Sequence, residues 1–169
     1  MKLFTDWGFS VNSWQGQRGE YWVFAQAAII VSFIALPVYP LPALALAPST
    51  LYGLWTVAGV LGLLALVLIA KGLLDLGHSL TPLPHPRDDA QLVQAGVYSL
   101  VRHPLYSGLI GAAFSWALYE RSLSHLAGAI VIFVFFNAKA TLEETWLGQK
   151  YPEYDAYQQR VKKLIPWLY

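Results

Sequence analysis

The sequence predicts an all-α, polytopic membrane protein with about four transmembrane helices and a C-terminal cytoplasmic helix. Three observations carry this prediction. Of 169 residues, 56% are hydrophobic and only 12% charged, whereas a water-soluble domain carries about 25% charged residues. The apolar residues are gathered into long runs separated by short polar or proline-rich stretches. Ten of the eleven basic residues (Lys2, Arg18, Lys71, Arg87, Arg102, Lys139, Lys150, Arg160, Lys162, Lys163) fall on one side of a four-span arrangement and only Arg121 on the other. The positive-inside rule then places both termini and the long polar loop in the cytoplasm. The absence of cysteine removes disulfides, thiolate metal sites and cysteine nucleophiles. With 11 Lys+Arg against 10 Asp+Glu, no basic face for nucleic acid is expected, and no metal.

One membrane-embedded domain over residues 1–169 is expected, with a lead-in and two spans in 1–80 and a loop, a hairpin and a terminal helix in 81–169. Met1 to Glu20 is polar and aromatic, lacks the apolar core of a signal peptide, and reads as an interfacial lead-in. Tyr21 to Leu41 has no charged residue over 21 positions, enough to cross a hydrocarbon core of about 30 Å. Pro37 to Pro48 is too rich in proline for a regular helix and reads as an outer loop. Leu51 to Ala70 is the second span, closed by Lys71 and Asp75, with Gly53, Gly59 and Gly62 leaving small surfaces for helix contact. Gly77 to Gly96 is a long polar stretch in which Pro82, Pro84 and Pro86 exclude a helix; such irregular connections are usually functional or disordered. Pro104 to Tyr119 and Leu126 to Ala138 are shorter apolar segments that make a hairpin around Glu120–His125. Lys139 to Tyr169 is polar and reads as a helix lying outside the bilayer.

The chemistry is concentrated in Gly96-Val97-Tyr98-Ser99-Leu100-Val101-Arg102-His103-Pro104-Leu105-Tyr106-Ser107-Gly108. Pro104 suits the first turn of a helix, with His103 extended just before it. A helix start beside tyrosine faces suits a small zwitterion, because its amides favour acceptors and the rings hold a cation. The plainer reading makes Arg102, His103, Tyr98 and Tyr106 interfacial anchors of a span. A second cluster follows in Lys139-Ala140-Thr141-Leu142-Glu143-Glu144, with Tyr154-Asp155-Ala156-Tyr157 and Ile165-Pro166-Trp167 beyond it. Lys139 and Glu143, at i and i+4, share a helix face and form either a solvated ion pair or part of a site at the membrane surface.

Taken together, Gly96-Val97-Tyr98, Arg102-His103-Pro104-Leu105-Tyr106, Glu143-Glu144 with Leu147, and Tyr154-Asp155-Ala156-Tyr157 leading to Ile165-Pro166 resemble the isoprenylcysteine carboxyl methyltransferase and phospholipid methyltransferase family of integral membrane enzymes. The resemblance covers roughly Thr81 to Trp167. It implies S-adenosylmethionine as methyl donor and a lipid or prenylated small molecule as acceptor, entering sideways from the membrane lipids. It further implies that Leu92 and Val93 contact the donor through backbone, that Tyr98, Arg102, His103, Leu105 and Tyr106 line it, and that Glu143 takes its amino group. Lys139 stands where the carboxyl methyltransferases carry an arginine that grips the substrate carboxylate; lysine keeps the charge but loses the two-pronged fit. Ala90 stands where the family often has histidine. Methyl transfer from a sulfonium needs mainly contact between nucleophile and methyl and exclusion of water. A carboxylate acceptor needs no general base, whereas an ammonium acceptor must first lose a proton, to His103 or Glu144. Lys139 and Glu144 are thus the catalytic candidates. Two other readings stand beside this one: an NADPH-dependent membrane reductase of sterol-reductase-like architecture, and a non-catalytic membrane scaffold.

Overall fold

The computed structural model describes residues 18–40 and 47–169, so the lead-in up to residue 17 and positions 41–46 of the outer loop lie outside the described residues. Among the described residues five α-helices follow in order: α1 (Glu20–Ile34), α2 (Pro48–Leu76), α3 (Pro104–Glu120), α4 (Leu123–Lys150) and α5 (Tyr154–Arg160), with 3₁₀ turns at Gly77–Ser79 and Gly96–Ser99. Among the described residues there is no strand, only isolated bridges between Pro40 and Ser122 and between Val101 and Lys162.

The helix limits differ from the apolar runs for local reasons. α1 stops after 15 residues instead of reaching Leu41, because a proline disfavours helical backbone in the residue before it and Pro37 follows closely. α2 is longer than its apolar run: Pro48 enters its first turn, and the helix continues past Lys71 and Asp75 to Leu76. The largest correction concerns the polar tail. α4 runs unbroken for 28 residues through Lys139 to Lys150, so the second cluster rides on the last apolar helix itself. The separate terminal helix is only the seven residues of α5. Among the described residues two helices are long and apolar enough to cross a bilayer: α2 with its following turn, at mean hydropathy 2.4, and α4, at 1.6. α1 and α3, at 15 and 17 residues, fall short of about 20.

α3 packs against α2 and α4, and α1 packs against α4, with Ile29 and Phe33 set on the core that α3 and α4 share. The α2–α3 contact is close because Gly108 has no side chain: a Cβ there would stand 2.5 Å from Ile69 Cγ1 and 2.8 Å from the Ala65 carbonyl. Small residues at such crossings let backbones approach in lipid, where dispersion replaces the hydrophobic effect between helices. Ile110, Ala113, Ala129, Ile132, Phe136 and Leu164 form the buried core between α3, α4 and the segment after α5. Val57, Val60, Leu63, Leu64 and Leu66 of α2 point outward and stay more than half exposed, as lipid-facing residues do. α3 and α4 are joined by Arg121, at φ +50°, and Ser122, whose hydroxyl caps α4 by accepting from the His125 amide at 3.3 Å. The polar turn is thus tighter than Glu120–His125. At the other end the loop from Leu80 to Ala95, the Gly96–Ser99 turn, the start of α3 and the last turns of α4 come together.

Candidate functional site

The turn that opens the motif is set by α2. Asp75, in its last turn, accepts a hydrogen bond from the Val97 amide at 2.8 Å. Gly96 adopts φ +61°, and any Cβ at this position would collide with the Asp75 carboxylate, so glycine is required here on two counts. Tyr98 then turns inward, 7% exposed, and donates to the Gly72 carbonyl at 3.3 Å. Burial, and next the Glu143 carboxylate, push its phenol well above the ordinary range, so it remains a neutral donor. Pro104 takes the first helical position of α3, with His103 before it at φ −122°.

From below, the segment after α5 fixes the backbone of the motif. The Arg102 and His103 amides donate to the Lys162 and Lys163 carbonyls at 2.8 and 3.1 Å, and Ser107 Oγ donates to the Leu164 carbonyl at 2.6 Å. The Arg102 guanidinium donates to the Gln158 carbonyl at 3.2 Å and to the Val161 carbonyl. Its remaining contacts go to Glu144 Oε1, from Nε at 2.8 Å and Nη2 at 2.7 Å. The same carboxylate oxygen meets His103 Nε2 at 3.1 Å, while Glu144 Oε2 accepts from Gln158 Nε2 at 3.3 Å. Glu144 is therefore the centre of a buried network that ties α3, α4 and α5 together.

Glu143, one residue earlier on α4, faces a different way. It accepts from Tyr106 Oη at 2.7 Å and stands 3.8 Å from His103 Nδ1. His103, Tyr106 and Phe136 form a continuous ring stack, with centroids 5.3 and 4.9 Å apart. Lys139 is 1% exposed. Its ammonium makes no ion pair with Glu143; it donates to Gln26 Oε1 of α1 at 2.6 Å and to the Pro82 carbonyl at 3.0 Å, and lies 5.3 Å from the Tyr106 ring centre. One cation thus joins α1, the polar loop, α3 and α4.

Two chambers meet at these residues. The larger, about 270 Å³, is lined by Leu105, Tyr106, Lys139, Pro82 and neighbouring apolar side chains. The smaller, about 80 Å³, is lined by Leu92, Val93, Tyr151, Tyr154 and Tyr157. Tyr98, Arg102, His103 and Glu143 border both. The fold therefore gathers Leu92, Val93, Tyr98, Arg102, His103, Leu105, Tyr106, Lys139 and Glu143 around one bipartite space, whereas Glu144 lines neither chamber. The loop wall is held in place by Tyr151 Oη, which donates to the Ala90 carbonyl at 2.6 Å, and by Lys150, which donates to the Arg87 and Asp88 carbonyls.

Sequence reasoning gave no part in the site to Gln26 or Gln158, read Asp75 only as closing a span, and used Tyr154 and Tyr157 only as part of the motif that carries the resemblance. Gln26 had a signal, since an amide in a charge-free apolar run calls for a partner. Tyr154 and Tyr157, at i and i+3, share a face of α5; Tyr157 Oη donates to the Tyr98 carbonyl at 2.6 Å. Tyr154 is 1% exposed and its hydroxyl is a buried polar atom without a partner, in the wall of the smaller chamber. A buried donor left unpaired costs free energy unless a ligand meets it.

Apolar helices that end in a buried, charged and aromatic double chamber are the architecture of a membrane-embedded protein. The chain belongs to the phospholipid methyltransferase family, whose profile matches residues 54–154. It is 37% identical over 86 residues to a probable protein-S-isoprenylcysteine O-methyltransferase from Oryza sativa subsp. indica, a match covering 50% of this chain and 45% of that one. It is 42% identical over 72 residues to methanethiol S-methyltransferase 1 from Bradyrhizobium diazoefficiens, covering 42% of this chain and 25% of that one. The chain thus spans about half the length, or less, of these curated relatives. Its fold matches that of the eukaryotic intramembrane Ras methyltransferase, isoprenylcysteine carboxyl methyltransferase, at TM-score 0.62 and 20% identity, over 95% of this chain and 55% of that one.

Proposed function

We propose that the protein transfers a methyl group from S-adenosylmethionine, lying across the junction of the two chambers, to a lipid-soluble acceptor that enters through the larger one. The observation that carries this reading is the junction of the two chambers at Tyr98, His103 and Glu143. The residues there fit the donor: a carboxylate for an amino group, neutral phenols, a ring stack for a sulfonium, and the unpartnered Tyr154 hydroxyl. When bound, S-adenosylmethionine supplies an electrophilic methyl on a sulfonium. Leu92 and Val93 offer loop backbone, Tyr98, Leu105 and Tyr106 exclude water, and Glu143 holds the amino group. Arg102 has its guanidinium engaged by Glu144 and the segment after α5, so its part is to hold the wall in shape.

Lys139 has two acceptors for its three N–H groups and borders the larger chamber. We place the acceptor's anionic group against it. The rice relative's name specifies oxygen methylation of a prenylcysteine and the bacterial relative's name sulfur methylation of a thiol; a carboxylate or thiolate on a lipid-soluble body satisfies both patterns, and the prenylcysteine-like carboxylate is our first choice. Neither nucleophile requires a base once ionised. Glu144, buried under His103, then acts by positioning it. The ten-to-one division of basic residues between the two sides of a four-span arrangement supports a multi-pass protein with the site and both termini cytoplasmic.

Calorimetry on the purified protein in lipid nanodiscs, with S-adenosylhomocysteine and NADPH as separate ligands, tests the reading. Binding of S-adenosylhomocysteine, weakened by Tyr98→Ala and Glu143→Ala, is expected. Binding of NADPH alone would replace it with a reductase, and binding of neither would leave the scaffold reading.

A further inference from the structure

The segment after α5 closes into a small loop. The Leu164 and Ile165 amides donate to the Tyr169 carbonyl at 2.8 and 2.7 Å, and the Leu168 and Tyr169 amides donate to the Ile165 carbonyl at 3.1 and 3.0 Å. Trp167 stands at the apex with φ +61°, a left-handed backbone that a bulky residue adopts only where its surroundings enforce it. The loop has two faces. Leu164 is 2% exposed and belongs to the core, whereas Trp167 and Leu168 are 82% and 75% exposed.

The direction of the exposed face follows from what holds the loop. Tyr169 Oη and Lys163 Nζ both donate to Asn137 Oδ1 of α4, at 3.1 and 3.3 Å, and the Tyr169 ring lies 6.4 Å from that of Phe133. Phe133 is four residues toward the apolar end from Asn137, about 6 Å along the helix axis. It sits among Ile130, Val131 and Val134, each half exposed or more. The loop therefore lies alongside the apolar length of α4, and its exposed apex continues the lipid-facing surface of that helix.

We propose that residues 164–169 form a membrane anchor, in which Trp167 and Leu168 enter the headgroup–acyl boundary of the leaflet beside the site. Tryptophan favours this depth because its ring is apolar and its N–H polar. The same segment supplies the Lys162 and Lys163 carbonyls that hold the Arg102 and His103 amides, so seating of the loop in lipid also steadies the motif. The proposal is independent of what the chambers bind.

The absence of cysteine from the sequence makes the test clean. Trp167→Cys and Leu168→Cys, each carrying a nitroxide, are placed in phospholipid nanodiscs, and collision with oxygen is compared with collision with a water-soluble nickel chelate. Val131→Cys serves as the lipid reference and Asp88→Cys, on an exposed side chain, as the water reference. Nickel collision several-fold below Asp88→Cys, with oxygen collision near that of Val131→Cys, is expected at both positions. Nickel collision equal to the water reference overturns the anchor. In the Trp167→Ser/Leu168→Ser double variant, amide hydrogen exchange at Arg102 and His103 should rise several-fold in nanodiscs; unchanged exchange there overturns the steadying of the motif.

Discussion

The network around Glu144 makes the sharpest quantitative prediction. Its side chain is 8% exposed and that of Arg102 10%, so neither charge is screened as a surface pair is. Glu144→Ala removes an acceptor from Arg102 Nε and Nη2, from His103 Nε2 and from Gln158 Nε2, and leaves a guanidinium buried with only two carbonyl partners, those of Gln158 and Val161. Breaking a buried ion pair from one side costs about 3–5 kcal/mol, largely because the abandoned charge stays desolvated. Glu144→Gln retains shape and one acceptor oxygen but loses the charge assistance, for which about 1.5–3 kcal/mol is expected. The Arg102→Met/Glu144→Met double variant removes both charges and should recover part of the loss, because two apolar side chains suit this environment. The assay is thermal unfolding in nanodiscs for the two single methionine variants and the double one, read as a double-mutant cycle. A coupling energy below about 0.5 kcal/mol would refute the reasoning, since that is what an exposed pair gives.

Gly96→Ala, forced to φ +61° against the Asp75 carboxylate, should displace the turn that carries Tyr98 and lower S-adenosylhomocysteine affinity, measured by calorimetry at a temperature where the variant is still folded; unchanged affinity would mean that the turn does not set the pocket. Tyr154→Phe removes a hydroxyl with no protein partner, so stability should hold or rise while donor affinity falls; equal affinity would mean that the hydroxyl meets no ligand. At Lys139, Arg should retain methylation of a prenylcysteine carboxylate, because a guanidinium grips a carboxylate with two parallel bonds. Gln should raise the acceptor KM with donor affinity intact; a change in donor affinity alone would make Lys139 a tie for the Pro82 loop. For topology, single cysteines at Ser49 and Gln91 should label from opposite sides of the membrane, and same-side labelling would end the four-span arrangement.

The sequence by itself determined a good deal. The charge-poor composition and the apolar runs fixed a helical membrane protein, because a bilayer leaves the backbone few other ways to satisfy its polar groups. Pro104 marked the start of α3, and the motif around it named Tyr98, Arg102 and His103, which border both chambers, and Leu105 and Tyr106, which border the larger, since local chemistry of that density has few structural uses. Other helix ends were less legible: the first apolar run carries the reading through Pro37 to Leu41, and the second begins it at Leu51 where the helix starts at Pro48. That the helix from Lys139 is continuous with the last span was not legible, because the change from apolar to polar residues reads as a break, whereas charged side chains do not stop a helix and propensity favours Lys, Leu and Glu there.

Only the tertiary structure decided which of two adjacent carboxylates faces the cavity. Glu143 and Glu144 differ by about 100° around α4, since a turn holds 3.6 residues, but the rotation of the helix as a whole is set by what packs against it. The Phe136–Tyr106 stack on one side and the Arg102 clamp on the other turn Glu143 toward the chambers and Glu144 beneath them. Lys139 is the same case over a longer range. Its partners, Gln26 and Pro82, lie 113 and 57 residues away, and the i to i+4 spacing to Glu143 pointed to a pair that the fold does not make. Spacing along one helix is local geometry; which neighbour offers the better acceptor depends on how α1 and the loop are brought against that helix, and that is fixed by packing.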